Sequence, residues 1–266
     1  MSVDYALVDR TQLSSSIFFP MRDDSVAGPG AQDLRIEVAP GVAVGARHYR
    51  ASASASASAG TVLYFHGNGE IVSDHDGLAP YYHDIGLDLF VVDYRGYGRS
   101  DGDPSFATMV ADALPIARRF HELLDADDPR GLRLVMGRSL GGYPAMEIAA
   151  RCPIRFDGLV LSSSAGEGQR LASRLSNAPS HEVDALIAGH TARLGRINLP
   201  TLMIHGEEDQ VIPLTDAEGL RDKLSSVSDL RFVALPRVGH NDVTLLAFDE
   251  YFGAIGQFVE RQSKHR

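Results

Sequence analysis

The chain has 266 residues, of which 44% are hydrophobic and 23% are charged, and its formal net charge is -10. A chain of this length can bury the core of a single α/β domain, so one domain over residues 1–266 is expected. The acidic surplus argues against a nucleic-acid partner, which would need clustered Lys and Arg. Cys152 is the sole cysteine and cannot form an internal disulfide.

The sequence shows no targeting or membrane-spanning segment. Its N-terminal residues lack a basic region followed by an apolar core, and no run approaches the roughly 20 apolar residues of a membrane span. We therefore expect a soluble, cytoplasmic protein without a membrane partner, either a monomer or a homodimer.

The first part of the chain has a strand-like pattern. Residues 17–20, 34–38 and 42–50 are rich in β-formers, and an Ala-Pro-Gly turn separates the last two runs. These runs predict an antiparallel lead-in to a larger sheet. The alternating Ala and Ser residues at 51–59 predict a flexible loop tip without function.

The apolar residues 61–65 run directly into the loop His66-Gly67-Asn68-Gly69. Continuous apolar strands that end in Gly-rich loops are typical of buried parallel sheets, whose ligands collect at the carboxyl edge. The loop could aim the backbone N–H of Asn68 at a reacting group, or its glycines could serve only a tight turn. His66 is expected to brace the loop rather than to act as a base.

A helix is expected at residues 78–85, and a second buried strand follows at 87–92 and leads into the loop DYRGYGRS. This loop lacks the third glycine of a dinucleotide fingerprint and the Gly-Lys-Ser/Thr of a P-loop, so it does not indicate a nucleotide. We interpret it as a structural loop in which Asp93 and Arg95 could pair. Ser105 then caps a long helix whose apolar face extends to Leu124.

Residues 132–152 predict a strand, a tight turn carrying Ser139, and a helix. Such a turn would point the serine hydroxyl outward above the N-terminal N–H groups of the helix. Gly137 and Gly141 suit it because a side chain would crowd the backbone. The motif alone is weak, since glycine-rich turns with a serine are also common structural features.

A further strand at 158–164 continues the alternation of strands and helices, which predicts a parallel sheet with right-handed crossovers. Residues 165–198 interrupt this rhythm and predict a short cap insertion over the edge of the sheet. His190 lies near its apolar face, where a histidine is more often packed than catalytic, although it could contact a substrate.

The last third of the chain is predicted to contain strands at 199–204 and 230–235 and helices at 216–224 and 245–259. Asp209 follows the first of these strands and His240 the second, so both share the carboxyl edge with Ser139. A serine nucleophile needs an imidazole to take its proton and a carboxylate to orient that imidazole. Glu207 and Glu208 compete with Asp209 for the carboxylate role.

With these motifs in this chain order, the sequence resembles the α/β-hydrolase superfamily over residues 17–259. GRSLGG is similar to its nucleophile elbow, HGNG to its oxyanion loop, and DYRGYGRS to a loop of the esterase-like and serine-aminopeptidase-like branches. HGEEDQVIP and GHND match the motifs that carry the acid and the base. The resemblance implies a mostly parallel sheet flanked by helices, a Ser139–His240–Asp209 triad, and an oxyanion hole formed by the N–H groups of Asn68 and Leu140.

The resemblance also implies a serine hydrolase that acts on carboxylic esters or thioesters through an acyl-enzyme. The insertion is short and has no Phe, Tyr or Trp, which favours small or short-chain acyl substrates. The alternatives are an aminopeptidase-like amidase, which needs an acidic group such as Glu70, Glu167 or Glu182 for the substrate amine, and a ligand-binding scaffold without turnover. We expect no cofactor and no metal, because H-E-x-x-H and clustered cysteines are absent from the sequence.

Overall fold

The computed structural model describes residues 3–10, 17–51, 58–127, 131–152, 154, 156–164, 175 and 177–264. Most of the alternating Ala and Ser run lies outside these ranges, as do residues 165–174 of the predicted insertion.

A single sheet spans the part of the chain that the structure describes. Its strands are β1 (Ala31–Ala39), β2 (Val42–Tyr49), β3 (Gly60–Phe65), β4 (Leu87–Val92), β5 (Leu132–Arg138), β6 (Gly158–Ser162), β7 (Thr201–Gly206) and β8 (Leu230–Leu235). They lie in the order β1-β2-β4-β3-β5-β6-β7-β8. The pairings of β2 with β1 and with β4 are antiparallel, and all the pairings from β4 to β8 are parallel. The predicted antiparallel lead-in to a parallel sheet is therefore confirmed.

Helices connect the strands. They are α1 (Ala6–Asp9), α2 (Ala79–Asp84), α3 (Phe106–Asp127), α4 (Gly142–Arg151), α5 (Ser180–Leu194), α6 (Leu214–Lys223), α7 (Val243–Leu246) and α8 (Phe248–Lys264), with short 3-10 turns at Val72–His75 and Ser139–Gly141. Ser105 caps α3 as predicted, since its Oγ accepts the Thr108 N–H at 3.1 Å. None of the helices in the described ranges is long and apolar enough to cross a bilayer.

The sheet separates two apolar cores. Along β3, Leu63 and Phe65 face one core, whereas Val62 and Tyr64 face the other. Alternate residues of a strand point to opposite faces, so a strand that is buried on both sides must be apolar throughout. All six residues of β3 are buried, which explains the apolar run at residues 62–65.

The prediction of a strand at residues 17–20 was wrong. These residues form no ladder, because the Phe19 N–H donates to Asn68 Oδ1 and to the Tyr97 hydroxyl, each at 3.0 Å. Pro20 has no N–H to donate to a neighbouring strand. The segment instead passes over the loop that follows β3.

Helix α5 is the main described element of the predicted insertion. Its Arg193 donates to Glu147 of α4 at 2.5 Å, and both side chains are buried. His190 is also buried, with Nδ1 at 2.7 Å from the hydroxyl of Tyr5. His190 therefore packs inside the protein, and the structure gives no support to a substrate contact at this residue.

Candidate active site

Ser139 stands on a strained turn between β5 and α4. Its φ is 51°, in the left-handed region that residues other than glycine rarely occupy. A Cβ on Gly137 would lie 2.2 Å from the carbonyl oxygen of Gly141, and a Cβ on Gly141 would lie 2.1 Å from that of Phe65. Both distances are far below van der Waals contact. The turn therefore requires glycine at both positions, as predicted.

The loops after β5, β7 and β8 bring Ser139, Asp209 and His240 together. His240 Nε2 lies 2.9 Å from Ser139 Oγ, and His240 Nδ1 lies 2.7 Å from Asp209 Oδ2. Burial acts to raise the pKa of Asp209, but hydrogen bonds from His240 and from the Ile212 N–H outweigh it and hold this pKa below its usual value. The carboxylate is therefore ionised at neutral pH.

The turn after β7 distinguishes Asp209 from the two glutamates before it. Asp209 is buried, and its Oδ1 accepts the N–H groups of Val211 at 2.9 Å and Ile212 at 2.7 Å. Glu207 and Glu208 are exposed. Of these three carboxylates, Asp209 is the one in contact with His240.

Asn68 lies in the loop between β3 and the following 3-10 turn. Its side chain fixes the segment before β1, because Nδ2 donates to the Ile17 carbonyl and Oδ1 accepts the Phe19 N–H. The Tyr97 hydroxyl donates to the same Oδ1 at 2.8 Å. Among the described residues, no acceptor binds the backbone N–H of Asn68 or of Leu140. Sequence reasoning considered only the backbone of Asn68 and missed this bracing role of its side chain.

His66 braces the same loop, as predicted. It is fully buried, with Nδ1 at 2.7 Å from the Gly67 carbonyl oxygen and Nε2 at 3.3 Å from Asp93 Oδ1. Burial acts to lower the pKa of His66, but the Asp93 carboxylate outweighs it and raises this pKa above its ordinary value. The pair joins the ends of β3 and β4, whose last residues lie side by side in register.

The predicted pair between Asp93 and Arg95 was wrong. The Asp93 side chain is buried, and its Oδ1 lies 3.3 Å from His66 Nε2. Arg95 donates two hydrogen bonds of 2.7 Å to Asp112 of α3. Asp93 therefore connects the loop after β4 to His66, whereas Arg95 connects the same loop to α3.

Sequence reasoning also missed Arg138, the last residue of β5. Its guanidinium donates to Glu70, to the His240 carbonyl oxygen at 3.1 Å and to Asn241 Oδ1 at 2.8 Å. A charged residue at the carboxyl end of a mostly apolar strand, directly before the serine, was the available sequence signal.

Comparison with known proteins shows which family the chain belongs to. The family model described as serine aminopeptidase, S33, matches residues 56–188, which is half of the chain. An α/β-hydrolase domain-containing protein 17B of Xenopus laevis is 30% identical, and the alignment covers 76% of this chain and 67% of that protein. An uncharacterised protein of Mycobacterium tuberculosis is 29% identical over 90% of this chain and 83% of its own length.

Solved structures share the fold at low sequence identity. An esterase of Pyrococcus furiosus superposes with a TM-score of 0.69 at 16% identity and covers 92% of this chain and 99% of its own. A soluble variant of monoglyceride lipase from Saccharomyces cerevisiae has a TM-score of 0.68 at 15% identity, covering 92% and 98%. The expected α/β-hydrolase fold is thus confirmed. The chain belongs to the S33 serine aminopeptidase family of the α/β-hydrolase superfamily.

Proposed function

We propose that the protein is a serine hydrolase that cleaves carboxylic esters or thioesters of small or short-chain acyl groups through an acyl-enzyme. The observation that carries this proposal is the continuous relay from Ser139 Oγ through His240 to Asp209, with steps of 2.9 and 2.7 Å. Both distances are those of hydrogen bonds ready for proton transfer. The membership of a hydrolase family supports the same conclusion.

In this mechanism Ser139 Oγ attacks the acyl carbon while His240 Nε2 takes the hydroxyl proton. The tetrahedral intermediate then collapses, the bond from the acyl carbon to the leaving oxygen or sulfur breaks, and His240 returns the proton to the leaving group. A water molecule releases the acyl group by the same steps in reverse order. Asp209 holds the imidazole in the tautomer that presents Nε2 as the acceptor and stabilises its charged form.

The developing negative charge on the substrate oxygen needs donors that are already in place. We assign this role to the backbone N–H groups of Asn68 and Leu140, which have no protein acceptor among the described residues. The side-chain bonds of Asn68 to Tyr97 and to the segment at 17–19 hold its loop in position. A preorganised donor pair of this kind stabilises the transition state without reorganisation during the reaction.

The family description makes an amidase the second candidate, with an acidic group to bind the substrate amine. The structure describes two of the three glutamates considered for that task, and both face an arginine. Glu70 accepts from Arg138, and Glu182 lies 3.5 Å from Arg10. Glu167 lies outside the described residues. These ion pairs favour the ester or thioester substrate over the amine-bearing one.

A panel of p-nitrophenyl esters, acyl thioesters and aminoacyl amides of graded size tests the proposal, with Ser139→Ala as the control. We expect turnover of short-chain esters or thioesters, and stoichiometric labelling of Ser139 by a fluorophosphonate. Turnover confined to the amides would favour the amidase. Binding of substrates without turnover or labelling would favour a non-catalytic scaffold, and labelling that persists in Ser139→Ala would remove the assigned nucleophile.

A further inference from the structure

The guanidinium of Arg138 contacts two loops that flank Ser139. We infer that Arg138 is a positioning residue that sets the relative placement of nucleophile, oxyanion loop and base. The inference rests on the proposed hydrolase function, because it assigns Arg138 a part in that reaction without contact to the reacting atoms.

The first set of contacts leads to the oxyanion loop. Arg138 Nη1 donates to Glu70 Oε1, and Glu70 Oε2 accepts the Gly67 N–H at 3.0 Å. Gly67 directly precedes Asn68, so this chain of bonds connects the guanidinium to the loop that carries the proposed donor. Burial acts to raise the pKa of Glu70, but the charge of Arg138 outweighs it and lowers this pKa, which keeps the carboxylate ionised.

The second set of contacts leads to the base. Arg138 Nη2 donates to the His240 carbonyl oxygen at 3.1 Å and to Asn241 Oδ1 at 2.8 Å. Asp209 holds the imidazole of His240, whereas Arg138 holds its backbone. The base is therefore fixed at both ends of the residue.

Arg138 is bonded directly to Ser139 in the chain, so these contacts also act on the nucleophile. The serine backbone is strained, with a φ of 51°. Strain of this size persists only where the surroundings hold it. A planar guanidinium can serve several acceptors in fixed directions, whereas a lysine ammonium is a flexible point charge. The geometry thus depends on arginine rather than on a positive charge alone.

The same strand supplies a matched control. Arg133, near the start of β5, is buried. It donates to Asp125 at 2.5 Å, and its Nη1 lies 2.6 Å from His121 Nδ1. It lies at the amino end of the strand, and the described partners of its guanidinium belong to α3. Loss of either arginine removes a paired charge that is at least partly buried, but only the loss of Arg138 should affect the reaction.

The test compares Arg138→Ala and Arg133→Ala in p-nitrophenyl acetate hydrolysis, each below its melting temperature. We expect kcat of Arg138→Ala to fall on the order of 10²-fold, with KM changed by less than about threefold, since misplacement of reacting groups affects mainly the chemical step. Arg133→Ala should keep kcat within about threefold while its melting temperature falls.

Chemical rescue separates positioning from general destabilisation. Arg138 borders a cavity of about 290 Å³ whose wall includes Glu70 and Asn241, so a free guanidinium ion can take the place of the missing side chain. Millimolar guanidinium should raise kcat of Arg138→Ala by about tenfold, sodium should not, and Arg138→Lys should regain less activity than the rescued variant.

Retention of kcat by Arg138→Ala within about threefold, or a loss that guanidinium does not reverse, would overturn the inference. If Arg138→Ala does not fold, Glu70→Gln replaces it, because the amide oxygen can still accept the Gly67 N–H while the ion pair is lost. An unchanged kcat in Glu70→Gln would then count against the inference. Failure of the proposed function looks different, since the wild-type protein would neither hydrolyse the panel nor react with fluorophosphonate.

Discussion

The two ends of β5 carry similar chemistry for different purposes. Each end has an ion-paired arginine, with the buried Arg133 at the amino end and the partly buried Arg138 at the carboxyl end. Arg133 binds a helix through His121 and Asp125, whereas Arg138 binds loops that converge on Ser139. A buried charge therefore does not by itself mark a functional site, and the convergence of several loops on one nucleophile does.

Backbone strain also differs between the two edges of the sheet. Three non-glycine residues in the described ranges have a positive φ: Ser139 at 51°, Ser163 at 46° and Arg237 at 61°. Each follows the carboxyl end of a strand, namely β5, β6 and β8. Unfavourable backbone conformations concentrate where function requires them. The carboxyl edge thus stores strain beside the proposed nucleophile.

Substitution of the nucleophile or the base should give the largest difference in kcat between variants at the carboxyl edge and variants at the amino edge. Ser139→Ala and His240→Ala are expected to lower kcat on the order of 10⁴ to 10⁶-fold, because neither attack nor proton transfer can then occur by the proposed route. Steady-state kinetics on a short-chain ester provide the measurement, and Arg133→Ala serves as the control. Comparable losses in all three variants would show that folding, rather than chemistry, was affected.

Substitution of the acid should have the next largest effect. Asp209→Asn is expected to lower kcat on the order of 10³ to 10⁴-fold, since the amide cannot hold the imidazole tautomer or stabilise its charge. Glu208→Gln is the matched control, because its exposed carboxylate has no contact with His240 in the structure. A greater loss in Glu208→Gln than in Asp209→Asn would mean that the acid was assigned to the wrong residue.

Most of the carboxyl edge could be predicted from the sequence because it is encoded locally. Gly137 and Gly141 show the tight turn, and short motifs after β7 and β8 contain Asp209 and His240. The contacts of Arg138 and Asp93 could not be predicted in this way. Their partners are distant in sequence or lie in an adjacent strand, so the direction of each side chain depends on register and packing.

The rate should also respond to pH. A protonated imidazole cannot accept the Ser139 proton, so kcat/KM should fall by about tenfold per pH unit on the acid side of its pH profile. Asp209 does not produce this limb, because its pKa is held below the usual value and it stays ionised there. A profile of kcat/KM from pH 5 to 8 measures the effect. A flat profile would contradict histidine as the base.

The smallest expected effect belongs to the amino edge and concerns stability. Burial, together with the neighbouring Arg133 guanidinium, lowers the pKa of His121 to about 4. Between this value and the roughly 6.5 of an unfolded histidine, the unfolded chain binds more protons at this residue than the folded chain. The free energy of unfolding should therefore decrease as the pH falls through that window.

Urea unfolding of the wild type and of His121→Gln between pH 7 and 4 measures this contribution. The slope of the unfolding free energy against pH reports how many more protons the unfolded chain binds than the folded chain. In the variant this number should be smaller by up to about one proton, because glutamine does not titrate. Other groups contribute to the total slope, so the difference between variants is the relevant quantity. Identical slopes in His121→Gln and wild type would contradict this prediction. They would show that His121 titrates alike in the folded and unfolded chains, so that its position beside Arg133 would not make stability sensitive to acid.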